Sequence, residues 1–172
     1  MARIATANDL LLVELGRMLS AEEAILRSLS SLVERAEDPH LRRLLEDHRR
    51  ETMHHVSNIS EAHHELAGHE EGRPAPALDG LDEELSSLLA LLVPDVPPEL
   101  ADLALISGAR RVEAYEVASY ESLVLLAEGL TAPPVRRALV ANLEDERRAA
   151  AALAGSAVQL LRRTRAGVPG EA

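Results

Sequence analysis

Glu22, Glu51, Glu113 and Glu146 each occupy a position where the periodicity of a long helical stretch calls for an aliphatic residue. The first stretch presents Leu11, Leu15, Met18, Glu22, Ile25, Leu29 and Leu32 on one face, so a single acid interrupts an apolar seam. The second reads Leu41, Leu44, His48, Glu51, His55, Ile59, Ala62 and Leu66. The third reads Leu103, Ile106, Arg110, Glu113, Val117, Tyr120 and Val124, and the fourth Val135, Leu139, Asn142, Glu146, Ala149 and Leu153. Carboxylates withdrawn from water repel one another unless a cation lies between them. Cysteine is absent, so a metal would be held by carboxylate and imidazole, a donor set that suits iron or manganese better than structural zinc. His55 falls on the seam with Glu51, whereas His54 shares its side with Asp47, Asn58 and Glu61 and should face solvent. In this reading Glu22 and Glu146 are terminal ligands, Glu51 and Glu113 bridge, and His55 supplies the nitrogen. Two iron ions so held bind oxygen or peroxide, which makes ferroxidase or peroxide-scavenging chemistry the expected activity.

To bring four acids into one layer, the elements must be long, antiparallel and matched in height. A helix predicted over about 8–37, capped by Asn8 or Asp9, stops at Asp38-Pro39, which starts a second over 39–67 ending at Gly68. The stretch from Gly68 to Pro98 is rich in Gly, Pro and Glu and reads as a crossover with a short apolar helix over 81–93. Pro97-Pro98 opens a third long helix over 98–128, and Thr131 to Pro134 a fourth over 133–163; residues 166–172 should fray. Measured from the two hairpin turns, Glu22 matches Glu51 and Glu113 matches Glu146 within a helical turn. Residues 1–172 therefore read as one all-α domain, a ferritin-like four-helix bundle of two antiparallel hairpins joined by one long connection.

A metal-free polar layer is the competing reading, with Arg110, His48 and His55 as counter-ions. The chain would then be a structural or interaction protein with a vestigial site. Glu146 lacks a companion donor at Ala149 or Ala150, which favours that alternative or a weaker second metal position. Glu116 reads equally as a further ligand or as an exposed acid. Tyr120 should pack with its hydroxyl in the polar layer. His63, His64 and His69 with Glu61, Glu65, Glu70 and Glu71 read as a solvated helix end, and Glu14 and Glu23 as surface charge. A hemerythrin-like oxygen carrier is disfavoured, because helices one, three and four contain no histidine.

Composition narrows the partners. A net charge of −11 with two tyrosines as the only aromatics argues against nucleic acid, which demands a basic face and stacking platforms. All 18 basic residues are arginine, a compositional bias to which no function is attached. The amino terminus lacks the apolar run of a signal peptide and no segment approaches a membrane span, so a cytoplasmic location is expected. Leu12, Leu19, Leu26 and Val33 give helix one a second apolar edge that a homodimer could cover.

Over about Leu10 to Leu161 the chain resembles the YciE/YciF-type ferritin-like stress proteins. The matching stretches are Ala21-Glu22, His48 to Thr52 with His55-Val56, Arg111 to Tyr120, and Leu143 to Glu146. It departs from that pattern at Arg110, Ala114 and Ala150, where glutamine, histidine and an acid are expected. The resemblance implies a dinuclear metal site, iron as its metal, a cytoplasmic dimer and an association with oxidative or envelope stress.

Overall fold

The computed structural model describes residues 4–69, 71–130 and 132–166, and the terminal residues 167–172 expected to fray lie outside them. The described residues form five helices and no strand: α1 (Ala7–Arg35), α2 (Pro39–Ala67), α3 (Pro76–Ala90), α4 (Pro98–Gly129) and α5 (Pro133–Ala166). None is long and apolar enough to cross a membrane. The fold is the four-helix bundle anticipated, with α3 lying on the crossover.

Local chemistry sets the boundaries. Thr6, two or three residues before the predicted cap, caps α1 in a reciprocal capping box: its hydroxyl accepts from the Asp9 amide while Asp9 accepts from the Thr6 amide. Asp38 accepts from the amides of His40 and Leu41 at the start of α2. Gly68 ends α2 in the left-handed region at φ 75°, a conformation glycine adopts without a Cβ penalty. The short helix begins at Pro76, five residues earlier than the apolar pattern suggested, because a proline fits the first helical turn regardless of hydropathy.

Within the ring, α1 packs on α2 and α4, and α5 packs on α2 and α4. Glu22 meets Tyr120 and Glu37 meets Asp102 across α1 and α4, while Asn58 meets Asn142 and Asp38 meets Arg163 across α2 and α5, so these neighbours are antiparallel. The core is aliphatic at both ends, with Leu11, Leu15 and Ile59 toward one and Leu41, Ile106 and Leu160 toward the other, all essentially fully buried. Two ties fix the heights. Buried Asp102 of α4 accepts from the backbone amides of Glu37 and Asp38, at 2.9 and 2.8 Å, and so clamps the α1–α2 turn. The crossover lies against α1 at Gly16, whose carbonyl accepts from the Arg73 amide at 2.8 Å and whose missing Cβ leaves room for the Glu71 carbonyl.

The buried stripe of α1 holds all seven predicted residues, and Leu19, read as part of an outer apolar edge, is buried beside them. On α2 it runs Leu41, Leu45, His48, Thr52, His55, Ile59, and on α4 Asp102, Ile106, Ala109, Glu113, Glu116, Tyr120, Leu123. Thr52 thus takes the buried place expected of Glu51, and Ala109, Glu116 and Leu123 those expected of Arg110, Val117 and Val124.

Candidate metal centre

Midway along the bundle the aliphatic core gives way to a layer of charge. α1 contributes Glu22, α2 His48 and His55, α4 Glu113 and Glu116, and α5 Glu146, and all six side chains are buried. Their ligand-type atoms fall into two groups, each within 4.8 Å internally: Glu22, His55 and Glu146 in one, His48, Glu113, Glu116 and Glu146 in the other. Glu146 belongs to both. Its Oε1 lies 2.8 Å from His55 Nδ1 and its Oε2 lies 3.7 Å from His48 Nε2, so its two oxygens serve opposite sides. His55 Nδ1 is also 3.5 Å from Glu22 Oε1, and His48 Nε2 is 3.1 Å from Glu113 Oε1.

Each donor is held by the helix beside it. Tyr120 donates its hydroxyl proton to Glu22 Oε1; Asn142 Nδ2 donates to the Tyr120 hydroxyl at 3.0 Å, and Asn58 Nδ2 to Asn142 Oδ1 at 2.7 Å. This series runs through all four long helices and fixes the Glu22 carboxylate. His55 turns its second nitrogen to Asp145 Oδ2 at 3.3 Å, a contact that leaves Nδ1 free to face the acids.

The electrostatics describe a site in need of positive charge. Burial raises the pKa of Glu22 and Glu146. Glu116, fully buried and facing Glu146, Glu22 and Glu113, is pushed well above the carboxylate range. Burial works against charge on the imidazoles, yet the adjacent carboxylates prevail: His55 is pushed up to about 10 by Glu146 and Glu22, and His48 well above its usual value by Glu113 and Glu51. Even so, Glu22 Oε2, Glu113 Oε2, both oxygens of Glu116 and of Glu146, both nitrogens of His48 and Nδ1 of His55 are buried without a hydrogen-bond partner. Unpartnered buried polar atoms are rare in folded proteins and costly, and here they converge on two points. Carboxylate oxygens and imidazole nitrogens in such groups are a donor set that fits a pair of transition-metal ions.

Four of the five predicted ligands, Glu22, His55, Glu113 and Glu146, meet in this layer, and His54 faces outward. Glu51 lies outside both groups. Its side chain is 37% exposed, 3.9 Å from His48 Nδ1 and 3.5 Å from Arg148 Nη2, and chiefly His48 holds its carboxyl below the usual range. Glu146, read as a terminal ligand short of companions, is the shared carboxylate. His48 stands beside Ala149 in the wall of a small cavity and supplies an imidazole from α2 where α5 offers none. Arg110 is exposed and contributes nothing to the layer. His48 and Glu116 are the donors that the sequence reading left out of its ligand set. The signals were present: His48 and His55 are seven residues apart on one face, and Glu113 and Glu116 form an i, i+3 pair.

Comparison with known proteins places the chain. The family described as "Domain of unknown function (DUF892)" matches residues 6–166. Protein YciF of Escherichia coli K12 is 29% identical over 143 residues, covering 83% of this chain and 84% of that protein. The solved structure of the E. coli stress protein YciF superposes with a TM-score of 0.84 at 28% identity, over 92% of this chain and 99% of that one. YcfI of Rhodopseudomonas palustris, described as a candidate structural protein, gives 0.83 at 30% identity, over 89% and 96%. With its all-helical architecture, its buried Glu and His layer and a match spanning nearly every described residue, the chain belongs to the DUF892 family of YciF-like proteins.

Proposed function

We propose that the chain is a non-haem di-metal carboxylate protein that holds two iron ions and acts on dioxygen or peroxide, as a ferroxidase or peroxide scavenger in stress. One observation carries this reading: Glu146 is shared between two groups of buried side chains, and most of the oxygens and nitrogens they turn toward one another have no hydrogen-bond partner. The proposed ligands are Glu22, His55 and Glu146 on one side and His48, Glu113, Glu116 and Glu146 on the other. Glu51 sits at the rim, where it pairs with Arg148. The description of the E. coli relative as a stress protein supports the cellular role. A cytoplasmic homodimer completes the reading.

When bound, an iron pair supplies two one-electron changes, the stoichiometry needed to reduce dioxygen to peroxide or peroxide to water. The protein's part is to place the donors and manage their protons. His48 and His55 must give up the protons they hold beside the acids, so loading releases protons and competes with acidification. Asp145 accepts from His55 Nε2, so the proton that loading releases is the one on Nδ1, toward Glu22 and Glu146. Tyr120 keeps its hydroxyl proton, because burial and Glu22 push its pKa up, and that proton holds Glu22 Oε1. Aliphatic layers above and below exclude water.

Anaerobic titration with Fe(II) followed by oxygen uptake tests the activity. Uptake is expected only as the second ion per chain loads, and Glu146→Ala should abolish it. Silence at two ions per chain, or uptake unchanged by Glu146→Ala, would turn the assignment toward the alternative of a metal-free structural protein. The 2.8 and 3.1 Å imidazole–carboxylate pairs favour that second reading, since they partly neutralise the layer without metal.

A further inference from the structure

α3 packs on α4 and leaves a groove between itself and α1, crossed by a hydrogen bond from Ser28 Oγ to Asp82 Oδ1 at 3.3 Å. Beneath this bridge is a cavity of about 330 Å³. Its walls are Ile25 and Leu29 of α1, Leu78 and Leu85 of α3, and Ala109 and Val112 of α4. Its inner end is His48 and Glu113, two of the donors of the buried layer. A second, shallower hollow continues the groove outward, where Arg27 and Arg35 stand among Ser28, Ser31 and Ser86. Neither arginine makes a hydrogen bond or ion pair among the described residues, in a chain whose net charge is −11.

An apolar cavity of this size with convergent polar groups at one end is the usual form of a small-molecule site. At roughly 30 Å³ for each water-sized group, it accommodates about ten methylene-sized units. The ends decide the orientation. At the inner end His48 is already taken by Glu113 and Glu146, at 3.1 and 3.7 Å, so an anionic head finds no free cation there, while Arg27 and Arg35 attract one at the mouth. Two acids, Asp79 and Asp82, also line the cavity; Asp82 is engaged by Ser28, and the two arginines at the mouth offset them. We propose that this groove binds a medium-chain aliphatic carboxylate, head at the arginines and tail against the His48–Glu113 edge of the centre. The binding does not rest on the proposed function.

The test is therefore made on metal-free protein, with binding as the readout. Calorimetric titration with decanoate and, in parallel, decanol is expected to give one decanoate per chain and weaker binding of decanol. Arg27→Ala should weaken decanoate several-fold and leave decanol unchanged. Ala24→Phe, at a half-buried position on the cavity wall, should cut binding of both by at least tenfold while circular dichroism and melting stay as in the parent. Arg43→Ala, on the exposed side of α2, should change neither. No decanoate binding, binding indifferent to Ala24→Phe, or decanol binding as well as decanoate would overturn the proposal. Metal content, measured on protein purified without chelators before the metal is removed, shows whether the proposed function itself has failed.

Discussion

The chemistry of this chain turns on which carboxylates lie inside the layer, and the difference between Glu51 and Glu116 makes that a question about single residues. Glu116 is fully buried with neither oxygen partnered, whereas Glu51 already has Arg148 and the edge of His48. Glu116→Gln is therefore expected to remove about one metal ion per chain and Glu51→Gln to leave two, as read by elemental analysis; the opposite order would return Glu51 to the ligand set. Protons offer a second check. In the metal-free protein His48 and His55 titrate above the free-histidine value of 6.5, His55 at about 10, so their charge stabilises the fold below that value and the contribution drains away as pH rises toward 10. Glu22, Glu116 and Glu146 are raised as well, so stability associated with their protonated forms is lost once pH exceeds the ordinary carboxylate range. Both effects have one sign. The melting temperature of metal-free protein should fall by roughly 5 °C or more between pH 6.5 and pH 10, and a flat or rising profile would contradict the electrostatics described for the layer.

At the scale of helices, the architecture was legible in the sequence because proline, glycine and aspartate punctuate it and the α1 seam is apolar but for Glu22. The ligand set was legible only in part. After His48, a helix returns to the same face by steps of three then four residues, through Glu51, or four then three, through Thr52, and both arrive at His55. Hydropathy does not separate them, since neither side chain is apolar and Leu44 and Leu45 are adjacent. The choice falls to the neighbours: α2 lies between α1 and α5, which rotates Thr52 inward and Glu51 to the rim. α4 shows the same ambiguity with the hydrophobic bias exposed. Val117 and Val124 are half-buried at the edge of the core, while Glu116 and Leu123 face its middle. The matching of heights depends on Asp102, the acceptor for both amides of the α1–α2 turn. Asp102→Ala leaves those amides without acceptors and should cost about 2–4 kcal/mol in urea unfolding. A loss below ~1 kcal/mol would mean that water or Arg163, which pairs with Asp38 at 2.6 Å, holds the turn unaided.

For the whole molecule, the layer sets stability against function. Six carboxyl groups and two imidazoles contribute to or adjoin a single section of a bundle whose remaining interior is largely aliphatic, and unpartnered atoms there oppose folding unless something binds them. A ligand that binds the folded chain alone stabilises it by mass action, so metal should raise the melting temperature and a chelator lower it. Elemental analysis of protein purified without chelators, with melting before and after metal removal, tests the central claim most directly. The account predicts about two transition-metal ions per chain, iron foremost, and a melting temperature that falls on their removal and recovers when Fe(II) is restored under anaerobic conditions. Protein with no metal above trace, and a midpoint indifferent to chelator and to added Fe(II), would contradict it.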